Sequence, residues 1–197
     1  YIFFVFKACF RPGIVGYRFV RYSMTTYIIT GPPGAGKSTL ADKLATSLDK
    51  GLHLHCDDIY NMVKGGYKAP WDDADDHLKN LMFESAHRII ETYSGAGFDC
   101  IVDYVFSLDQ LHEFVGKLSD KVVLRILLPS AQVNVDRDKD RQWVVGEERV
   151  RKYNHEFADE PAFGTFTIDT SSIDSGALAS RVLAEPASDP SQIVAIL

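Results

Sequence analysis

From Thr25 onward the chain alternates short apolar runs with longer amphipathic ones. The runs Thr25–Thr30 (TTYIIT), Leu52–Cys56, Phe98–Asp103 (FDCIVD), Lys121–Leu128 (KVVLRILL) and Phe163–Asp169 predict five strands. Between them the pattern predicts helices over Lys37–Leu48, Asp58–Val63, a segment capped by Asp72 or Asp73 and running to Tyr93, Ser107–Leu118, Ala131–Asp140, Glu147–Ala158 and Gly176–Ala184. In the longest of these, Leu78, Leu81, Met82, Ala86, Ile89, Ile90 and Tyr93 fall on one face. Lys64–Trp71 is a loop, broken by two glycines and a proline, and Arg141–Gly146 is a second break. Strands and helices alternating at these lengths imply an α/β domain, with a parallel sheet covered by helices on both faces. In such sheets ligands bind at the carboxyl ends of the strands, so the loops after each strand are the places to look for chemistry.

Composition narrows the picture. The 197 residues are 46% hydrophobic and 24% charged, as expected for one globular domain with a full core. A net charge of −6, a pI of about 5.5 and the lack of a basic stripe argue against a nucleic-acid partner. No run after the first residues approaches the ~18 apolar residues of a membrane span. Cys9, Cys56 and Cys100 lie too far apart for a zinc site or a disulfide framework, which makes a reducing cytoplasm the expected location. The six histidines show no ligand spacing, and no metal is assigned to them. Residues 1–23 carry Lys7, Arg11, Arg18 and Arg21 without an acid. They read as a non-native or disordered extension ahead of Met24, with a targeting peptide as the rival reading. The domain is expected over residues 24–185, and 186–197, rich in Pro, Ser and Ala, as a loosely held tail.

The strongest chemical motif follows the first strand. Gly31-Pro32-Pro33-Gly34-Ala35-Gly36-Lys37-Ser38-Thr39 fits G-x-x-x-x-G-K-[ST] between a strand and a helix, the context a phosphate-binding loop requires. Glycines let successive N–H groups turn toward one anion, and the helix N-terminus adds partial positive charge. Lys37 can reach the β- and γ-phosphates of ATP, and Ser38 can ligate Mg²⁺. After the second strand, Asp57 is placed to accept a proton from an attacking hydroxyl, with Asp58 as the cap of the short helix that follows. The third strand closes on Asp103, where a carboxylate supports the magnesium shell through water or touches the acceptor. Arg137 and Arg141, four apart on a helix, share one face and suit a lid over the transferring phosphoryl group. Tyr67 and Trp71 are candidates for a wall against the acceptor.

With these residues in place, Thr25 to Leu183 resembles the small P-loop kinases, among them shikimate kinase, gluconate kinase, chloramphenicol phosphotransferase and the kinase domain of polynucleotide kinase. The layout is most similar to bacterial gluconate-kinase-like ATP-binding proteins, which share the string N-M-V-x-G-G-Y-x-x-P-W, here Asn61 to Trp71. The resemblance implies the P-loop NTPase fold with sheet order 2-3-1-4-5, and ATP with Mg²⁺ as cofactors. It also implies Asp57 as general base, Arg137 and Arg141 as lid arginines, and Thr170 and Ser171 beside adenine. Polynucleotide kinase has an arginine three residues after its base where this chain has Tyr60, which points away from a nucleic-acid acceptor. The expected activity is transfer of the γ-phosphate to a hydroxyl of a small molecule, such as a sugar acid or an antibiotic, by a monomer or homodimer. The alternatives are an ATP-binding regulator or resistance protein with little transfer, and a nucleic-acid 5′-hydroxyl kinase.

Overall fold

Strand β1 (Thr25–Thr30) is buried at every position after its first, as a strand must be when it has neighbours on both edges and helices on both faces. It pairs in parallel with β3 (Asp99–Asp103) on one side and β4 (Lys121–Leu127) on the other. Next to β3 lies β2 (Gly51–His55), and next to β4 lies the short β5 (Thr167–Ile168). The sheet is five-stranded in the order β2-β3-β1-β4-β5, as expected. These elements come from a computed structural model that describes residues 24–67, 76–140 and 144–197.

Alternation along the strands divides the core into two halves. Ile28, Leu54, Cys100, Val102, Leu124 and Ile126 face one side. There they meet Met82, Ala86 and Ile90 of α3 (Asp76–Gly95) and Leu111 and Phe114 of α4 (Leu108–Gly116). Tyr27, Ile29, Ile101, Val123 and Leu127 face the other side. They meet Leu40 and Leu44 of α1 (Lys37–Ser47), and Leu178 and Val182 of the late helix Ser175–Leu183. Each fully buried side chain of this size stabilises the fold by roughly 1.5–3 kcal/mol. Cys56 and Cys100 belong to the first half-core; burial pushes both thiols up, Cys100 to about 12, so they pack as neutral groups.

The remaining helices are α2 (Cys56–Asn61), α5 (Ala131–Lys139), α6 (Glu147–Asp159), α7 (Ser175–Leu183) and α8 (Pro190–Val194). Three expectations change. The fifth strand is only two residues long, because Pro161–Phe166 winds into a 3₁₀-helix. Phe163 and Phe166, three apart, fall on one side of that helix and are both buried. The tail is not loose: Ser188 bridges Val122 through two backbone hydrogen bonds of 2.8 Å. Asp189 then opens α8 with a capping box and Pro190 in the first turn, and Ile193 is buried. On α3, Leu81 and Tyr93 are 50% and 40% exposed, and Phe83 instead turns toward the core, stacked on Phe106. Residues 1–23 and the expected caps Asp72 and Asp73 lie outside the described residues.

Candidate active site

The loop from Gly31 to Gly36 leaves β1 at the carboxyl edge of the sheet and turns into α1. Gly31, Gly34 and Gly36 all have positive φ (140°, 81° and 91°). At two of them the space is closed as well: a Cβ would stand 2.2 Å from the Leu127 carbonyl oxygen at Gly31 and 2.5 Å from that of Asn134 at Gly34. The loop is therefore pressed against β4 and α5 by contacts that only glycine permits. Pro32, Pro33 and Ala35 are buried beside it.

Helix α1 begins without a side-chain cap and has no acid in its first turn. Gly36 stands at its N-cap in the left-handed region, so the first-turn N–H groups and the positive end of the helix dipole are not neutralised from within the helix. The Lys37 ammonium folds back to donate to the Pro32 carbonyl at 3.0 Å, which holds a positive charge over the loop. Thr39 follows, exposed, on the same turn. This cradle fits a polyphosphate: it offers backbone donors and a cation at a helix start whose own first turn carries no acid.

At the second residue of α1, the Ser38 hydroxyl donates to Oδ2 of Asp103 at 2.5 Å. The serine of the loop and the carboxylate ending β3 thus form a pair of hard oxygen donors, suited to Mg²⁺, which takes one or two protein ligands and completes its shell from phosphates and water. Among the described residues no group of three or more His, Cys, Asp or Glu side chains could hold a metal unaided.

Asp103 is 1% exposed and has two further neighbours on β2. His53 Nε2 lies 3.2 Å from Oδ1, and His55 Nε2 lies 3.7 Å from Oδ2. Burial alone would raise the Asp103 carboxyl; the hydrogen bond from His53, the proximity of His55 and the hydrogen bond from Ser38 hold it below the usual carboxylate value. The His53 imidazole is raised in turn by its hydrogen bond to Asp103, against the opposing effect of burial. Neither histidine is assigned a role by residue type or spacing. The strand period holds the missing signal: Leu52 and Leu54 pack into the half-core beneath α3, so His53 and His55 face the side that carries α1 and Asp103.

His55 also connects to the carboxylates of the next turn. Its Nδ1 is 3.3 Å from Asp58 Oδ1, and its Nε2 is 3.8 Å from Asp57 Oδ2. Helix α2 starts at Cys56, two residues earlier than expected, with His55 at its N-cap. Asp58 is therefore a first-turn residue rather than the cap, and both acids sit where the helix dipole favours negative charge. Asp57 is 44% exposed and Asp58 76%, which makes Asp57 the more enclosed of the two. Burial, and then the charge of Asp57, pushes the Tyr104 hydroxyl well up, so Tyr104 remains a neutral donor near that carboxylate. Tyr67 is 42% exposed and packs edge-on against the buried Tyr60 at 5.7 Å between ring centres. Trp71 lies outside the described residues.

The adenine-side candidates come together. Arg137 donates from Nη2 to the Thr170 carbonyl at 3.1 Å, the Thr170 hydroxyl donates to the Ala35 carbonyl at 3.4 Å, and the Ser171 hydroxyl accepts from the Ser130 N–H at 2.9 Å. The loop after β5 thus ties α5 to the phosphate loop. Arg141 lies outside the described residues, but the base of its segment is visible. Asp138, 1% exposed, accepts from the N–H groups of Val145 and Gly146 at 3.0 and 2.9 Å. This buried carboxylate, within a stretch that reads as surface charge in the sequence, fastens the start of α6 to α5.

The fold and the loop have relatives. No curated protein matches the chain in sequence. Among solved structures, the tunicamycin resistance protein of Deinococcus radiodurans aligns over 84% of this chain and 98% of its own, at 18% identity and a TM-score of 0.60. A gluconokinase from Sinorhizobium meliloti 1021 aligns over 89% and 96%, at 12% identity and 0.59. Shikimate kinase from Acinetobacter baumannii aligns over 83% and 92%, at 20% identity and 0.52. A family model described as AAA domain matches residues 27–157, from within β1 to within α6, a span that includes the phosphate loop, Asp57, Asp103, Arg137 and Arg141. The chain belongs to this AAA-domain family and carries the fold of the small P-loop kinases.

Proposed function

We propose that the chain is an ATP- and magnesium-dependent phosphotransferase whose acceptor is a hydroxyl group of a small molecule. The observation that carries this reading is the uncapped, acid-free N-terminus of α1, with Lys37 over the loop and Ser38 bonded to Asp103. Bound ATP with Mg²⁺ supplies an electrophilic phosphorus and a leaving group whose charge is partly neutralised. The loop amides and Lys37 would hold the phosphates, Ser38 would ligate the cation, and Asp103 would support its shell. Thr170 and Ser171 would flank the adenine, and Arg137 and Arg141 would stand over the transferring group. Asp57 orients the acceptor hydroxyl and takes its proton, and Tyr67 and Trp71 wall the acceptor.

The acidic charge and Tyr60 favour a small acceptor over a nucleic acid. Among the described residues no helix is long and apolar enough to cross a membrane; a cytoplasmic location and a monomeric or homodimeric state belong to the same proposal. One structural neighbour is a tunicamycin resistance protein and another a gluconokinase, so antibiotics and sugar acids belong on the first acceptor panel. The test is a coupled assay of ADP release over hydroxyl compounds. An acceptor that raises the rate at least tenfold over water supports the reading. A panel-wide failure, by a chain that still binds ATP, favours a nucleotide-dependent binding protein.

A further inference from the structure

The two histidines of β2 are the part of the site that the transfer reaction, as described above, leaves without a task. Asp103 cannot meet its neighbours with one oxygen alone. Oδ2 takes the Ser38 hydroxyl at 2.5 Å and Oδ1 takes His53 at 3.2 Å, in a position 1% exposed. A carboxylate only accepts, so the contact requires His53 to carry its proton on Nε2. His55 stands opposite Asp103 in the register but stays 3.7 Å from Oδ2, while His53, opposite Ile101, reaches diagonally along the α1 face to Oδ1 at 3.2 Å. Its side chain is 22% exposed, enclosed enough that water competes poorly for that oxygen.

A half-turn of Asp103 about its last bond only exchanges two equivalent oxygens, but a partial rotation would carry Oδ2 off Ser38. With His53 bonded to Oδ1 that rotation breaks a hydrogen bond in a nearly dry site, where an unmet carboxylate oxygen is costly. Ser38, held with its proton toward Oδ2, keeps its lone pairs free for a cation at the mouth of the loop. We infer that His53 is a positioning residue for the cation site: by holding Oδ1 of Asp103 it keeps Oδ2 on Ser38 and the Ser38 oxygen turned toward the divalent ion that accompanies the nucleotide. The inference rests on the nucleotide-binding reading above and concerns orientation, so a neutral donor in the same place should serve as well.

The test follows the melting temperature of the full chain with ATP as MgCl₂ is raised, and separately with ATP in EDTA. In His53→Leu the Mg²⁺ concentration for half of the stabilisation should rise at least tenfold, the size usual for an outer partner of a metal ligand. The stabilisation by ATP in EDTA should stay as in the parent chain. His53→Gln, whose amide nitrogen can occupy the place of Nε2, should return to within about threefold of the parent. His53→Asn is the polar counterpart for the case in which leucine fails to fold; its amide falls short of Oδ1, and it should shift as leucine does. A purely structural role predicts a lower melting temperature without ligand and an unchanged Mg²⁺ midpoint, and that result in Leu or Asn overturns the inference. A Gln variant as impaired as Leu also overturns it. A parent chain stabilised equally by ATP with and without Mg²⁺ fails in a different place: it removes the cation site itself.

Discussion

On the phosphate side of the cleft Gly31, Pro32, Pro33 and Ala35 are buried, and the groups that would meet the ligand are largely backbone amides. On the acceptor side the groups are side chains with open surroundings: Asp57 is 44% exposed, Asp58 76% and Tyr67 42%. The phosphate side is built from conformations that only glycine adopts and from a helix end, and so is suited to the polyphosphate that every nucleoside triphosphate shares. The proposed acceptor side is built from the short helix α2 and the segment after it, where a substitution changes shape and hydrogen bonding without disturbing the sheet. One fold can thus keep one donor and exchange acceptors.

Substitutions on the two sides should separate accordingly. The largest effect on turnover is expected from Asp57→Asn. Transfer should fall by about 10²–10⁴-fold, the usual contribution of a general base. The stabilisation by Mg·ATP should stay within a few-fold of the parent, because no phosphate contact is lost. Full turnover in the variant would move the base elsewhere on the acceptor side. The largest effect on folding is expected from Gly34→Val. A Cβ there would stand 2.5 Å from the Asn134 carbonyl at a φ of 81°. Urea unfolding should report a loss on the order of 3 kcal/mol, together with loss of ATP binding. A variant as stable as the parent would mean that the loop is not pinned to α5. Tyr67→Ala should be smallest. Its acceptor KM should rise about tenfold, equivalent to ~1.4 kcal/mol, with KM for ATP unchanged. A change in the ATP value alone would place Tyr67 on the wrong side.

The sequence makes legible what local rules determine. The order of strands and helices follows from hydrophobic period, and the phosphate loop from residue type in a fixed context. Residues whose role depends on a neighbouring strand are harder to read. His53 and His55 look like two unrelated histidines until β2 lies beside β3 and the period of two turns both toward Asp103. Asp138 reads as one charge in the run Asp136 to Arg141, and only the packing of α6 on α5 buries it against Val145 and Gly146. Composition misled at the C-terminus. Pro, Ser and Ala suggested a loose tail, while Asp189-Pro190-Ser191-Gln192 carries a helix start, and Ile193 supplies the buried contact that holds it. The shortened β5 has a similar cause: Pro161 and Gly164 suit a tight helical turn, and the spacing of Phe163 and Phe166 rewards it with burial.

The account depends most on the claim that the turn from Gly31 to Ser38 holds a polyphosphate. Calorimetric titration of the purified chain with ATP and with AMP, both in excess MgCl₂, addresses it directly. The triphosphate should bind at least tenfold more tightly, a difference of ~1.4 kcal/mol or more, and Lys37→Ala should erase that difference. Equal binding of the two nucleotides, or no binding of either, would contradict it.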